Sequence, residues 1–325
     1  MTRFLDVIVS GTGEGLLWAV LAIGVYISYR VLDFADLSVD GSIVTGAAVT
    51  AVFIVRLNVN PILATLIAIA AGALAGLLTS ILHTKCKIAP ILSGILTMTA
   101  LYSINIHIMG SSSLAILGQD TVLDYIKDLF SLNTRYATLV LGVLVVAVVI
   151  GILYLFFGTQ IGSAIRATGN NERMCRAQGI NTDNTKIIGM MISNALVAFS
   201  GSLLLQCSWY TSNYSYGVGA IVIGLASVII GETIFFRARS FWVKLISVAV
   251  GSIIYRVIIT AIINFNLMDS SDLKLFSSIV VALALSIPAV KKFFSDFIKK
   301  RKNKRYMPEE VKQALQESGK EGQDA

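Results

Sequence analysis

The chain has 325 residues, of which 55% are hydrophobic and only 14% charged, and its mean hydropathy is +0.77. Those values exclude an ordinary soluble domain and imply an integral membrane protein. The net charge is +7, but residues 291–305 hold eight basic side chains against Asp296, a local excess equal to the whole-chain figure. The basicity therefore reports membrane topology and gives no ground for nucleic-acid binding.

In chain order, residues 1–14 carry Phe4, Leu5, Ile8 and Val9 on a helical stripe too short to span a bilayer, which predicts an N-terminal amphipathic segment at the interface. Only Arg3 precedes the apolar run, Asp6 and Glu14 interrupt it, and no cleavage-site pattern follows, so a removed signal peptide is not expected. A transmembrane domain is expected over 15–290. Its first apolar piece, 16–29, gives way to the polar stretch 30–40 before 41–55 resumes. Each piece is shorter than the roughly 20 residues of a perpendicular span, so part of the interruption must sit at membrane depth. Irregular backbone is tolerated there only against protein or a water-filled cavity, which makes Asp33, Asp36, Ser38 and Gly41 candidate lining of a translocation path. A cytoplasmic turn with solvated carboxylates is the competing reading.

Residues 61–82 form a clean span, with Gly72 and Gly76 spaced for close helix packing. His83, Lys85 and Lys87 place the next turn in the cytoplasm, and 88–109 form a further span. Thr99 and Ser103 share its i, i+4 row with His107 and join the candidate path, although an interfacial role for His107 competes. Residues 110–134 suit an outer loop whose stripe at Val122, Leu123, Ile126, Leu129 and Phe130 predicts a short surface helix. After the span 135–157 comes a basic loop, 158–186, assigned to the cytoplasm. Within it 164–177 reads as one helix along the membrane, stopped at Gly179.

Residues 187–206 cross outward to an uncharged loop containing Trp209, Tyr210, Tyr214 and Tyr216, either an aromatic belt or a contact surface. Residues 218–230 are again too short to span and end at Gly231-Glu232-Thr233, beside a corner that Arg237 and Arg239 assign to the cytoplasm. The span 243–263 encloses Arg256, a candidate path residue because a charge there is costly, with snorkelling to the outer interface as the alternative. Residues 264–274 are then outside, 276–290 return, and 291–325 form a basic cytoplasmic tail. The expected architecture is an all-α polytopic protein of about 8–10 transmembrane helices with broken or re-entrant segments. Nine crossings would put residue 1 outside, and a re-entrant piece at 30–40 would reverse that. Cys86, Cys175 and Cys207 are dispersed and imply no disulfide framework.

The order Gly162, Ala164-Ile165-Arg166-Ala167, Asn171-Glu172, Ala177-Gln178-Gly179-Ile180-Asn181, followed by a small-residue helix with Ala198 and Gly201, resembles the coupling loop of ATP-binding-cassette (ABC) importer permeases. It is most similar to the branched-chain amino acid and sugar permease group, and within it to tryptophan/tyrosine-type permeases. The run Ala35-Asp36-Leu37-Ser38-Val39, then Gly41-Ser42, is similar to the Asp-Leu-Ser-Val-Gly-Ser of sugar permeases, with Asp40 inserted, and Glu232 replaces a glycine of the group's Gly-Gly-Thr. The likeness runs over 11–290. It implies a coupling helix whose ATPase-facing residues are Ala167, Asn171, Glu172, Arg173, Met174 and Arg176, with Ala177, Gly179, Ile180 and Asn181 at its end.

The resemblance also implies a separate ABC ATPase at the cytoplasmic face carrying ATP and Mg, an extracellular or periplasmic solute-binding protein, a homodimer, or a heterodimer where a second permease accompanies this one, in a prokaryotic plasma membrane, and an amino acid as solute, tryptophan or tyrosine in particular. No G-x-x-x-x-G-K-[ST] stands in the sequence, so this chain is expected to bind no nucleotide cofactor itself. Separated histidines give no metal site, and no nucleophile and base pair supports catalysis. The alternative is an ion-coupled secondary transporter or channel working without an ATPase. Against it, the well-defined spans from residue 61 onward hold no Asp or Glu before Glu232.

Overall fold

In the computed structural model the described residues are 2–235 and 240–264, together with positions 275, 278, 279, 282 and 286. The chain divides into a unit of residues 1–281 and a smaller one of 282–325, and every helix named here belongs to the first. The expected corner at Arg237 and Arg239, the outer loop 264–274, the return span 276–290 and the basic tail lie essentially outside the described residues.

Eleven helices are described: α1 (Thr2–Tyr26), α2 (Val39–Val55), α3 (Pro61–Thr84), α4 (Pro90–Met109), α5 (Val122–Phe130), α6 (Thr134–Gly158), α7 (Gln160–Asn170), α8 (Glu172–Ala177), α9 (Thr182–Leu204), α10 (Ala220–Ile234) and α11 (Phe241–Asn264). Seven apolar segments are long enough to cross a bilayer: Asp6–Val31, α3, α4, α6, Thr182–Trp209, Tyr214–Ile234 and α11. Helix α2 adds a shorter apolar piece, about 26 Å at 1.5 Å per residue, less than the roughly 30 Å of a hydrocarbon core.

Two features differ from the sequence reading. Helix α1 runs unbroken from Thr2, so residues 2–14 are the opening turns of the helix whose Asp6–Val31 stretch is long and apolar enough to span, and not a separate amphipathic element. Gly11 and Gly15 let α1 lie directly on α11, which an interfacial helix could not do. Residues 218–230 belong to a longer crossing because the 3₁₀ turn Tyr214–Gly217 extends α10 on the outer side. The surface helix expected at the 122–130 stripe is α5, opened by a capping box in which Thr121 and Asp124 exchange bonds. A two-stranded antiparallel ladder, β1 (Ser113–Ala115) on β2 (Thr211–Asn213), ties the two outer loops together.

Helix α1 packs against α6, α9, α10 and α11, and α9 packs against α1, α2 and α3. Within a bilayer apolar contact with a helix is scarcely better than contact with lipid, so close approach and hydrogen bonds hold such a bundle together. Both are present. Gly72 and Gly76 of α3 abut the α9 backbone at Asn194 and Met190, making that pair a helix-packing face, as its spacing predicts. Hydroxyls cross the interfaces: Ser193 Oγ donates to the Gly24 carbonyl, Ser200 Oγ to Leu17 and Ser252 Oγ to Gly15, each at 2.8–2.9 Å. Large apolar side chains of α3, α4 and α6, such as Leu66, Ile91 and Leu155, are exposed on the outside of the bundle.

A Cβ on Gly201 would overlap the carbonyl oxygen of Ile43, whereas one on Gly151 would meet nothing within 4 Å. Gly201→Ala should therefore part α2 from α9 and cost about 1–3 kcal/mol, seen as a lowered melting temperature in detergent. Gly151→Ala, which only gains helix propensity, should melt at or slightly above wild type.

Candidate functional site

The first site element is the break between α1 and α2. Helix α1 ends in a π turn, Ile27–Val31, and Asp33 follows with a left-handed backbone, φ 54°, its side chain exposed. The chain then runs beside α9. Leu32 packs on Gly189, and Asp36, only 2% exposed, meets Asn194. Asn194 stands about 18 Å along α9 from its start at Thr182, so the connection enters the bundle interior before α2 begins.

There Asp36 Oδ1 accepts from the Ser38 amide at 2.9 Å and from Ser38 Oγ at 2.5 Å, while Oδ2 accepts from Asn194 Nδ2 at 2.8 Å. Asn194 Oδ1 in turn accepts from Ser42 Oγ at 2.6 Å. Gly94 of α4 closes the other side against the Leu37 amide. A buried carboxylate is costly unless donors surround it, and this one has three. Asp36 and Ser38 are therefore packed between helices, neither solvated nor lining open space.

The second element is the start of α10. Asp40 Oδ2 accepts from the Gly219 amide at 3.0 Å and Oδ1 from the Ile221 amide at 2.8 Å, so a carboxylate from α2 caps a helix 180 residues further on. The negative charge lies at the positive end of the α10 dipole. Gly217 permits the contact, since a Cβ there would overlap the Asp40 carbonyl oxygen. Beside this junction lies a cavity of about 320 Å³, lined in part by Asp40, Gly41, Thr99, Tyr102, Asn105 and Tyr214. Ser103 is exposed on α4 near Thr99 without lining that cavity. At the far end of α10, Glu232 accepts three bonds from Arg30, at 2.8 and 3.0 Å from Nε and 2.5 Å from Nη2.

The third element is an elbow made by α7 and α8. Thr159 caps α7 through the Gly162 amide, Asn171 caps α8 through the Met174 amide, and Asn181 caps α9 through the Asn184 amide. The single helix expected over 164–177 is thus two helices, because Asn171 leaves helical geometry, φ −156°, ψ 92°, to present its side chain as a cap. Gly179 ends the elbow with φ +79°, the left-handed stop its sequence predicts.

Thr168 Oγ1 lies 2.9 Å from Thr185 Oγ1, tying α7 to α9, and Gly169 approaches the Val31 carbonyl at the end of the α1 π turn. Glu172 accepts from Arg176 and Lys186, each at 2.8 Å, while Asp183 faces Arg176, Lys85 and Lys87 at 3.4–4.0 Å. Burial alone would raise the Glu172 carboxyl, but the bond from Lys186 and the charges of Lys186 and Arg176 outweigh it and hold the group below its ordinary value of 4.5.

A family model described as "Branched-chain amino acid transport system / permease component" matches residues 7–287. The chain belongs to this permease family. Relatives include a tyrosine transport system permease protein of Clostridioides difficile, 40% identical across 86% of this chain and 90% of its own length. More distant are the ribose import permease protein RbsC of Escherichia coli, 25% identical over 61% of this chain and 60% of its own, and the probable branched-chain amino acid transport permease protein LivH of Methanocaldococcus jannaschii, 24% identical over 58% and 62%. The chain is thus a multi-pass ABC-type permease of the amino acid and sugar importer group.

The permease gathers the sequence-predicted residues into separate places. Gly41 and Thr99 share the cavity, Asp36 and Ser38 share the buried break, and Asp33 is exposed. Arg256 stands apart from all of them. It does not snorkel free but pairs with Glu14 of α1 at 2.6 Å, with its guanidinium 5.2 Å from the Trp18 ring centre. On the elbow Arg173, Met174, Ala177 and Asn181 point outward, and Met174 is 53% exposed. Arg176 is exposed as well, and it also reaches the start of α9 through Thr182 and Asp183 while pairing with Glu172.

Sequence reading missed Asn194, Asp40 as a cap and the Arg30–Glu232 pair. An asparagine within the apolar run 187–206 was the available signal for the first; the other two depend on contacts between distant segments.

Removing the Asn194 amide leaves Asp36 Oδ2 and Ser42 Oγ short of partners in a closed site. Asn194→Leu should destabilise the permease by about 1–3 kcal/mol, measured as a drop in melting temperature. For Glu172 the sign is the usual carboxylate one. A folded value below 4.5 means stabilisation present above that pH and lost as pH falls through the folded value. The melting-temperature gap between wild type and Glu172→Gln should be open at pH 7 and close as the pH falls through the folded value below 4.5.

Proposed function

We propose that the chain is the translocation subunit of an ATP-driven importer for an aromatic amino acid. It works as a homodimer, with a separate ATPase carrying ATP and Mg seated on the elbow and a solute-binding protein delivering from outside. The solute class rests on the 40% identity to the Clostridioides difficile tyrosine permease across nearly the whole membrane part. The ATPase assignment rests on one observation. The elbow presents Arg173 and Met174 to solvent while Thr168 and Gly169 bind it to α9 and to the end of α1, so a partner gripping the outer face would hold two membrane helices.

In this reading the turns bearing Lys85, Lys87, Arg166 and Arg173 face the cytoplasm, as does the basic C-terminal tail, and residue 1 lies outside. Gly41 and Thr99 line the path, with Ser103 beside them. Asp36 and Ser38 set the position of the α2 start from behind, and Arg256 holds α11 to α1.

The test is co-purification of the ATPase with this permease and measurement of hydrolysis that depends on it. Gly179→Val forces a side chain into a left-handed position at a cost of about 1–2 kcal/mol, and Arg173→Glu reverses the exposed charge of α8. Both should insert normally yet lower ATPase association or transport-linked hydrolysis severalfold. Wild-type coupling in both variants, or uptake driven by an ion gradient with this chain alone, would overturn the proposal. A binding panel on the external solute-binding protein identifies the solute.

A further inference from the structure

Helix α10 is fastened by charge at both ends. Asp40 of α2 caps its first amides, and at its last turn Glu232 accepts three bonds from Arg30. At 1.5 Å per residue its 15 residues make a rod of about 22 Å, and Tyr214 and Val218, just before its start, stand in the wall of the cavity. Whatever displaces Glu232 along the helix axis therefore displaces one wall of that cavity.

Arg30 stands where the elbow bears on α1. It belongs to the π turn Ile27–Val31, and a Cβ on Gly169 of α7 would overlap the carbonyl oxygen of Val31, the next residue. Asp33, with its left-handed backbone, follows two residues later, so Arg30 lies on the last turn before the chain leaves the helix. The elbow meets the same corner from a second side. Arg166 of α7 lies 5.5 Å from the centre of the Phe241 ring, which packs on Phe157 at 4.8 Å and on Tyr26 at 6.4 Å.

Bonds from a planar guanidinium to both oxygens of a carboxylate fix direction as well as distance. Yet a pair this exposed, 51% for the Arg30 side chain and 29% for Glu232, adds little to stability. We propose that Arg30 and Glu232 are a positioning pair for transport, tying α10 to the place where the elbow presses on α1. A displacement of α7 then passes through Val31 and Arg30 to Glu232, runs along α10, and arrives at the Asp40 cap and the cavity wall. The inference rests on the reading of the elbow as the ATPase seat, and it adds a route to the side of the cavity that α2 and α4 do not form.

Val218 is 66% exposed, and Val218→Cys in a Cys86→Ser background puts a thiol at the α10 end of the cavity, the other two cysteines being buried. With the full-length permease in nanodiscs and its ATPase bound, labelling of that thiol by a water-soluble maleimide is timed without nucleotide and with ATP and vanadate. The two rates should differ by about threefold or more. Arg30→Gln and Glu232→Gln, added singly, should abolish the difference while the ATPase stays bound and the melting temperature stays close to that of the parent.

Labelling that ignores nucleotide in the parent, with the ATPase bound, overturns the pair. So does a nucleotide-dependent difference that survives in both variants. Failure of both variants to fold also overturns it, since the pair would then be a structural brace. If the parent retains no ATPase, the elbow reading itself is refuted, an outcome distinct from the other three.

Discussion

The contact of Asp36 and Ser38 with Asn194 is the constraint on which the rest of the membrane part depends. Chain without helical hydrogen bonds cannot stand inside a bilayer unless protein groups replace water. Here the segment after the α1 π turn carries its own acceptor, Asp36, and finds its donors in Ser38 and in an asparagine from α9. Because that meeting point lies well inside the bundle, α2 can be only 17 residues long, and its N-terminus opens in the interior. That N-terminus in turn positions its neighbours: Asp40 reaches the α10 amides, and Gly41 packs on Leu101 of α4.

Two short helices therefore begin side by side, and one carboxylate serves both. Asp40 lies in the first turn of α2, where a negative charge complements the helix dipole, and caps α10 directly. Its position between Val39 and Gly41, an insertion relative to the sugar-permease motif, thus has a structural use. The ladder of β1 on β2 and the rings of Trp209, Tyr216 and Trp18 hold the outer approach to this junction, with Trp209 packing on Tyr216 at 5.0 Å and on Trp18 at 6.2 Å. The aromatic residues of that loop are a packed cluster as much as a belt.

Local pattern was enough wherever a feature is set by neighbours in sequence. The break at 30–40 follows from two apolar pieces each too short to span, the stop at Gly179 from a glycine after a helical run, and α5 from a stripe with a capping box. The failures share a physical cause. Asn171 reads as tolerable inside a helix, and its use as a cap depends on where α8 must turn to meet Lys186. The partners Arg30 and Glu232, Asp40 and Gly219, and Glu14 and Arg256 each lie roughly 180–240 residues apart, so no window on the sequence contains both members. Arg256 was visible as an anomaly but its partner was not, and that partner sits in α1, whose opening residues read as interfacial.

The elbow and the break are joined by short, stiff routes. Gly169 touches the carbonyl of Val31, the last residue before the segment that enters the bundle, and Thr168 bonds to Thr185 on the first turn of α9, the helix that carries Asn194. The α3–α4 turn is fastened to the same place through Lys85, Lys87 and Asp183, and α4 supplies Gly94 to the break and Thr99 to the cavity. A displacement of the elbow thus acts on both walls of the break, α9 and α4, and on the strand of chain between them. Glycine contacts at Gly169, Gly189 and Gly94 leave no slack for side chains to absorb it, so these helices must move as packed bodies or not at all.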